Sequence, residues 1–202
     1  MYKFPKTERG LRSRIAAYKK SMQHERRTFG SISDGYGKRY IIFWLYFVLG
    51  DLKEANAYIH WYEKNFEDDV GEPIHKLCCA LILHRLDKDQ IARYVLANLM
   101  LLNLYMIPIT INEKIDNYGI RLGSNYADLD YAEEIPVEIL GAITPEEKEW
   151  MKDLYNSIEF RRFRKRYIDI YRELENTRGV ENRSPLVKEA GGLLDELKLR
   201  NL

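Results

Sequence analysis

A histidine and a cysteine four residues apart are the best candidates for metal chemistry in this sequence. His75 and Cys79 would lie on one face of a helix, and His84 follows on roughly the same side. These three ligands leave a zinc site incomplete unless a carboxylate such as Glu72 joins them. The surrounding residues 77–83 are instead typical of a buried helix, in which cysteine acts as a small apolar residue. We therefore expect no metal and no cofactor.

Three common enzyme motifs are absent from the sequence. It lacks the Gly-x-Ser-x-Gly nucleophile turn, the His-Glu-x-x-His zinc motif and the phosphate-binding P-loop. Its only Gly-rich stretch, residues 29–37, matches no phosphate-binding fingerprint and predicts a connecting loop. The acidic runs 67–69 and 133–134 lack the apolar surroundings that raise a carboxyl pKa. We therefore predict that the protein is not an enzyme.

Five of six consecutive residues near the C-terminal end are basic. They are Arg161, Arg162, Arg164, Lys165 and Arg166. On a helix such a patch neutralises phosphates without reading a base sequence. Three interpretations stay open: the cations are solvated or pair with the acidic residues 112–153, they bind an acidic protein, or they bind nucleic acid together with a basic first helix.

Charge is distributed unevenly, although the net charge of the 202 residues is only +1. Residues 1–40 hold 11 basic and 3 acidic side chains, a net charge of +8. Residues 112–153 hold 4 basic and 11 acidic side chains, a net charge of −7. Two interpretations stay open. The two segments face each other or lie in solvent, or the protein presents a basic face to an anionic partner.

Cysteine usage and hydropathy predict a cytoplasmic protein. Cys78 and Cys79 are adjacent, which makes a disulfide between them geometrically implausible. The first residues lack the apolar run of an export signal. The apolar stretch 94–111 is interrupted by Asn98 and Pro108, whereas a spanning helix needs about 20 apolar residues. We therefore expect no association with a membrane.

Residues 40–104 form the stretch around which the rest of the chain is organised, and they predict two successive helical hairpins. Gly50 ends one apolar helix as a left-handed cap, and Asp51 begins the next with Glu54 at its third position. Ala55 and Ala92 occupy equivalent points of the two hairpins, 37 residues apart (92 − 55). A period in this range is typical of stacked helical hairpins.

These hairpins resemble two degenerate units of the tetratricopeptide-repeat (TPR) family, within residues 38–104. Tyr46 stands at the aromatic position of that repeat, Gly50 at its turn glycine and Ala55 at its close-packing alanine. In the second unit Ala80 and Ala92 take the two small positions. The resemblance implies a right-handed superhelical stack of antiparallel hairpins that binds peptides or proteins, and it implies no catalysis.

The fold prediction is therefore an all-α, TPR-like single domain spanning residues 1–202. Its parts are a basic N-terminal helix and loop at 1–35, the hairpins at 36–106, an irregular acidic cover at 107–143 and C-terminal helices at 144–202. Thr144–Pro145 predicts the start of one C-terminal helix, and Ser184–Pro185 predicts the start of the last.

The functional prediction is a non-enzymatic protein-interaction module, acting as an adaptor, a regulator or a neutralising partner. Its ligand would be another protein or a peptide, and an acidic one would suit the basic residues 161–166. The default binding surface is the concave face of the repeats, with Tyr40, Tyr46, Tyr58 and Trp61 as aromatic contacts. The alternative is a nucleic-acid-binding regulator that uses residues 161–166 and the basic N-terminal helix.

Overall fold

The structure is a computed structural model that describes residues 2–120 and 122–199. In these ranges the chain forms helices and no strand, which confirms the all-α prediction. Residues 1, 121 and 200–202 of the predicted domain lie outside the described part. In chain order the described α-helices are α1 Glu8–Phe29, α2 Lys38–Leu49, α3 Leu52–Asn65, α4 Pro73–Arg85, α5 Asp89–Leu102, α6 Met106–Thr110, α7 Leu129–Glu133, α8 Val137–Ala142, α9 Pro145–Asn156, α10 Ile158–Asn176 and α11 Val180–Leu199, with one 3-10 turn at Asn125–Ala127.

Helix α2 is the centre of the fold. Its sequence is apolar on almost every side, and it packs against α1, α3, α4 and α8. Phe43, Leu45 and Phe47 are each at most 1% exposed, and burying side chains of this size stabilises the fold by about 1.5–3 kcal/mol each. The helix ends at Gly50, whose φ of 72° is the left-handed conformation that glycine adopts without strain.

Helices α3, α4 and α5 follow α2 as packed neighbours. Asp51 caps α3 by accepting a hydrogen bond from the Glu54 backbone N–H at 3.2 Å, as the sequence predicts. Helix α4 begins at Pro73 and is buried along most of its length, with α2 and α3 on its sides and α5 as its hairpin partner. Ala55 and Ala92, the equivalent points of the predicted repeat, are both fully buried.

Helices α1 and α3 run parallel on the same side of α2. Arg12 Nη1 on α1 donates to Asp51 at 2.6 Å, and Arg26 Nη1 donates to Asn65 at 2.5 Å. The two contacts lie 14 residues apart on both segments (26 − 12 and 65 − 51), which is about 21 Å along a helix. Because both contacts occur in the same order, the helices point the same way and are tied together near each end.

Residues 131–147 cover the side of the fold formed by α2 and α4. Helix α8 packs against α2, and the Tyr131 hydroxyl on α7 donates to Glu72 at the start of α4. Arg85 near the end of α4 binds both carboxylate oxygens of Glu147 on α9, at 2.7 and 3.0 Å. The segment predicted as irregular contains the short helices α6 to α8, and it lies over the hairpins.

The last helix begins five residues before its predicted start. The sequence predicts a start at Ser184–Pro185, whereas α11 begins at Val180 and carries Pro185 inside it. That prediction was wrong because the second turn of α11 is exposed and tolerates proline. Proline has no N–H, so one carbonyl of the preceding turn lacks its helical partner, and water can bind that carbonyl at the surface. By contrast, the predicted cap at Thr144 is present, and its hydroxyl and Glu147 form a complete capping box.

The Arg85–Glu147 pair should contribute more to stability than the exposed pairs do. The Glu147 side chain is only 5% exposed, so Arg85→Gln would leave a buried carboxylate without its cation. We expect a loss of about 3 kcal/mol in the free energy of unfolding, measured by urea titration. The matched change Arg162→Gln breaks an ion pair whose partners are 54% and 52% exposed, and it should cost less than about 1 kcal/mol. Equal losses in the two variants would contradict this ranking.

Candidate functional site

Three of the four aromatic residues predicted to contact a partner come together between α1 and α3. The Tyr58 and Trp61 rings stack with centroids 5.3 Å apart and planes 21° apart. The Tyr46 ring from α2 lies 5.9 Å from that of Tyr58. Tyr46 and Tyr58 are almost fully buried, whereas Trp61 is half-buried and reaches the surface. Together they form an aromatic floor that opens towards solvent at Trp61.

We call this depression the α1–α3 groove. Its lining includes Ile15, Lys19, Tyr46, Leu49, Tyr58 and Trp61. The wider part, between Arg12 and Lys53, has a volume of about 530 Å³. A narrower part of about 160 Å³, the Trp61 pocket, is lined by Lys19, Gln23, Ala57, Tyr58 and Trp61. The wider part alone falls within the size range of ligand pockets in proteins.

Lys19 lies where the two parts of the groove meet. Its Nζ donates to the Tyr46 hydroxyl at 2.7 Å. The same atom lies 5.1 Å from the Tyr46 ring centroid and 5.5 Å from that of Tyr58, within the range of cation–π attraction. The nearest carboxylate is that of Glu54, at 4.0 Å. The aromatic floor therefore fixes one ammonium group at the centre of the groove.

The Trp61 pocket also offers hydrogen-bond donors that the protein itself does not use. Within the described residues, neither the Trp61 indole N–H nor the Gln23 side-chain amide has a hydrogen-bond partner. The Tyr58 hydroxyl is engaged, because it donates to the Arg39 carbonyl at 3.0 Å. The pocket thus combines the exposed part of the Trp61 ring with two side chains whose N–H donors have no partner among the described residues.

Tyr40, the fourth predicted aromatic contact, lies elsewhere. Its hydroxyl donates to Asp69 at 2.6 Å and accepts a hydrogen bond from Arg39 at 2.7 Å. Its ring stacks on His75 with centroids 5.3 Å apart. Tyr40 therefore joins α2 to the loop before α4 and does not line the α1–α3 groove.

Arg39 is the centre of that second cluster. Its guanidinium contacts Asp69 at 2.6 Å and the fully buried Asp34 carboxylate at 3.1 Å. Burial opposes the ionisation of Asp69, but hydrogen bonds from Tyr40, Arg39 and the Gly71 N–H outweigh it and lower the pKa of Asp69 to about 2. The cluster binds the Gly-rich loop and the α3–α4 loop to the start of α2, which is a structural role.

His75 and the two cysteines are enclosed in the core. The Tyr40, Phe43 and Tyr62 rings surround the imidazole, and burial lowers the pKa of His75 so that it stays neutral. Burial also raises the pKa of the Cys79 thiol to about 12, which removes its nucleophilic thiolate form at neutral pH. In the described ranges, no three His, Cys, Asp or Glu side chains come close enough together to hold a metal ion.

The basic residues 161–166 lie on α10, and most of them have partners within the protein. Arg166 binds both oxygens of Glu189 at 2.6 Å and also contacts Glu173 at 2.8 Å. Arg162 pairs with Glu196 at 3.3 Å, and Lys165 with Asp169 at 2.6 Å. The Arg164 guanidinium lies 3.8 Å from the Tyr155 ring centroid, and its Nη1 donates to the Tyr155 carbonyl.

These carboxylate partners are not the acidic residues 112–153 that one interpretation assigned to the cluster. They lie on α10 itself and on α11, so the cluster attaches the last helix to its neighbour. Of the five cations, only Arg161 lacks a partner among the described residues.

Comparison with known proteins returns no match. No family model fits the sequence, and neither a curated protein nor a solved structure is significantly similar to it. Among the described helices, none is both long enough and apolar enough to cross a bilayer.

Sequence reasoning did not assign Lys19, Gln23 and Ala57 to the site. Lys19 stood out only as one of several cations on the first helix, and the other two carry no distinctive signal. One usable signal existed: Arg12 and Asp51 are 39 residues apart, as are Arg26 and Asn65, so complementary side chains recur at one spacing. A constant spacing of this kind is expected of two parallel helices that are separated by one antiparallel helix.

The Asp69 pKa predicts a pH-dependent contribution to stability. Because its folded-state value of about 2 lies below the ordinary 3.8, the contribution is present above about pH 4 and is lost as the pH falls towards 2. Asp69→Asn should therefore cost about 2 kcal/mol of unfolding free energy at pH 7, and the deficit should shrink below pH 4. Asp68→Asn, at the exposed neighbouring residue, should change stability by less than about 0.5 kcal/mol. A deficit for Asp69→Asn that stays constant from pH 7 to pH 3 would contradict the ion-pair interpretation.

Proposed function

We propose that this protein is a non-enzymatic binding module that holds a segment of another protein in the α1–α3 groove. The observation that carries the proposal is the groove itself, in which Tyr46, Tyr58 and Trp61 form a floor between two parallel helices. Aromatic side chains are frequent anchors of protein interfaces, because they offer a large contact area at low cost in conformational entropy. Trp61 is the one of these three that a partner can contact, since Tyr46 and Tyr58 are almost fully buried. An adaptor, a regulator or a neutralising protein would each use such a surface.

We also propose that α1 to α5 are arranged as a TPR-like right-handed stack. The support is the 37-residue spacing of the buried Ala55 and Ala92, the packing of α2 against both α3 and α4, and the parallel course of α1 and α3. In this arrangement α2 and α4 would form the concave face. Residues 131–147 cover that side, so we assign binding to the α1–α3 groove instead.

A cytoplasmic location is part of the same proposal. It is supported by the two buried free thiols, Cys78 and Cys79, which a reducing compartment suits.

Nucleic-acid binding through residues 161–166 has weaker support. Four of the five cations there are already engaged by carboxylates or by Tyr155, and phosphates would have to compete with those partners. Nucleic acid gains affinity by releasing its condensed counterions when protein cations neutralise its phosphates, and cations that are already paired within the protein do this poorly.

A variant in which a large side chain fills the groove tests the proposed function. Peptides of 12 random residues would be selected by phage display against the wild-type protein, and their affinities measured by fluorescence anisotropy. Ala57 is exposed at the Trp61 pocket, so Ala57→Trp should fill the pocket and weaken the selected peptides by about tenfold or more. The matched control is Ala17→Trp, an exposed alanine on α1 outside the groove, which should leave affinity within about twofold.

Two results would contradict the proposal. One is a set of selected peptides that binds the wild type and Ala57→Trp equally well. The other is a selection that yields no peptide at all.

A further inference from the structure

We propose that the segment held in the α1–α3 groove is acidic, with one carboxylate bound to Lys19 and a neighbouring apolar side chain in the Trp61 pocket. This inference rests on the proposed function and names the chemistry of its ligand. It assigns to Lys19 the role of a specificity-determining residue.

The groove lies beside a helix with a clear excess of positive charge, and its own lining holds three basic and two acidic side chains. Helix α1 has seven basic and two acidic side chains, a net charge of +5, and α3 has two of each, a net charge of zero. A basic segment would have to enter against this field, whereas an acidic segment would be attracted and oriented by it. Charge complementarity therefore favours an acidic partner.

Lys19 has unused capacity to bind a carboxylate. An ammonium group has three N–H donors, and the Tyr46 hydroxyl at 2.7 Å accepts one of them. Glu54 lies 4.0 Å away, beyond hydrogen-bond distance, and the Lys19 side chain is still 33% exposed. The other two N–H donors have no hydrogen-bond acceptor among the described residues, and Lys19 lines both parts of the groove. A hydrogen bond between two charged groups is about twice as strong as one between neutral groups.

The acidic side chains of the groove do not cancel this charge. Asp51 uses one oxygen for Arg12 and the other for the Glu54 backbone N–H, so it is already neutralised within the fold. Glu54 is the one remaining groove-lining carboxylate among the described residues, and Lys53 stands beside it. Lys19 is left as the cation nearest the aromatic floor.

The Trp61 pocket supplies the rest of the recognition. The Trp61 indole N–H and the Gln23 amide N–H groups have no partner among the described residues and can donate hydrogen bonds to carboxylate or carbonyl oxygens of the ligand. The exposed part of the Trp61 ring suits an apolar side chain of the partner. A volume of about 160 Å³ suits a single side chain of leucine or phenylalanine size. The expected ligand is thus a segment in which acidic residues flank one large apolar residue.

The test uses the composition of the selected peptides and a matched pair of lysine variants. Peptides selected on the wild type should be rich in Asp and Glu around one large apolar residue.

Lys19→Gln should weaken the affinity of these peptides by about tenfold or more, since a charged hydrogen bond is lost. Lys20→Gln removes the neighbouring exposed charge outside the groove lining and should change affinity by less than about twofold. Lys19→Arg keeps the charge and should keep most of the affinity, and a thermal melt of each variant checks folding.

The outcomes separate this inference from the proposed function. Neutral or basic peptides that lose affinity with Ala57→Trp but not with Lys19→Gln would overturn the acidic ligand and leave the groove as a binding site. Peptides unaffected by Ala57→Trp would overturn both. A pool of random single-stranded RNA that displaces the acidic peptides in 0.15 M salt would also overturn the inference, because the cations would then prefer phosphate to a peptide carboxylate.

Discussion

The structure depends on the need to enclose α2 on every side. A helix that is apolar almost all round cannot face water, so α1, α3, α4 and α8 must surround it. Helices α1 and α3 both pack on α2 and touch each other through long polar side chains near their ends. The space left between them is the α1–α3 groove, and Tyr46 of the enclosed helix becomes its floor. The groove is therefore a consequence of how the core is completed.

The side formed by α2 and α4 is closed, because a buried carboxylate there needs hydrogen-bond partners from the covering segment. Glu72 is buried there and accepts hydrogen bonds from the Trp44 indole, the Tyr131 hydroxyl and the backbone N–H groups of Ile74 and His75. Burial raises the pKa of Glu72, but each of its oxygens has partners, so the carboxyl group is not left unsatisfied. Because Tyr131 belongs to the covering segment, the chain itself occupies the side formed by α2 and α4.

Local chemistry in the sequence predicted much of the fold. Gly50, Asp51 and Thr144 act on their own helix ends, and a local signal is readable without knowledge of tertiary contacts. The site was predicted only in part, because the direction of an aromatic side chain depends on which helix packs beside it. Tyr40 and Tyr46 both lie on α2, but Tyr40 belongs to the Arg39 cluster and Tyr46 lines the α1–α3 groove. The early start of α11 was missed because proline was taken to mark a first turn.

The binding site is tested most directly by fluorine NMR of the protein labelled with 5-fluorotryptophan. The chain has three tryptophans, and each gives a separate signal from a different part of the structure. Trp61 lines the groove, Trp44 lies under the covered side beside Tyr2 and Glu72, and Trp150 stacks on His84. On saturation with a selected peptide we predict that the Trp61 resonance shifts while the other two stay in place. A shift of Trp44 with an unchanged Trp61 would contradict the groove and assign binding to the α2–α4 side.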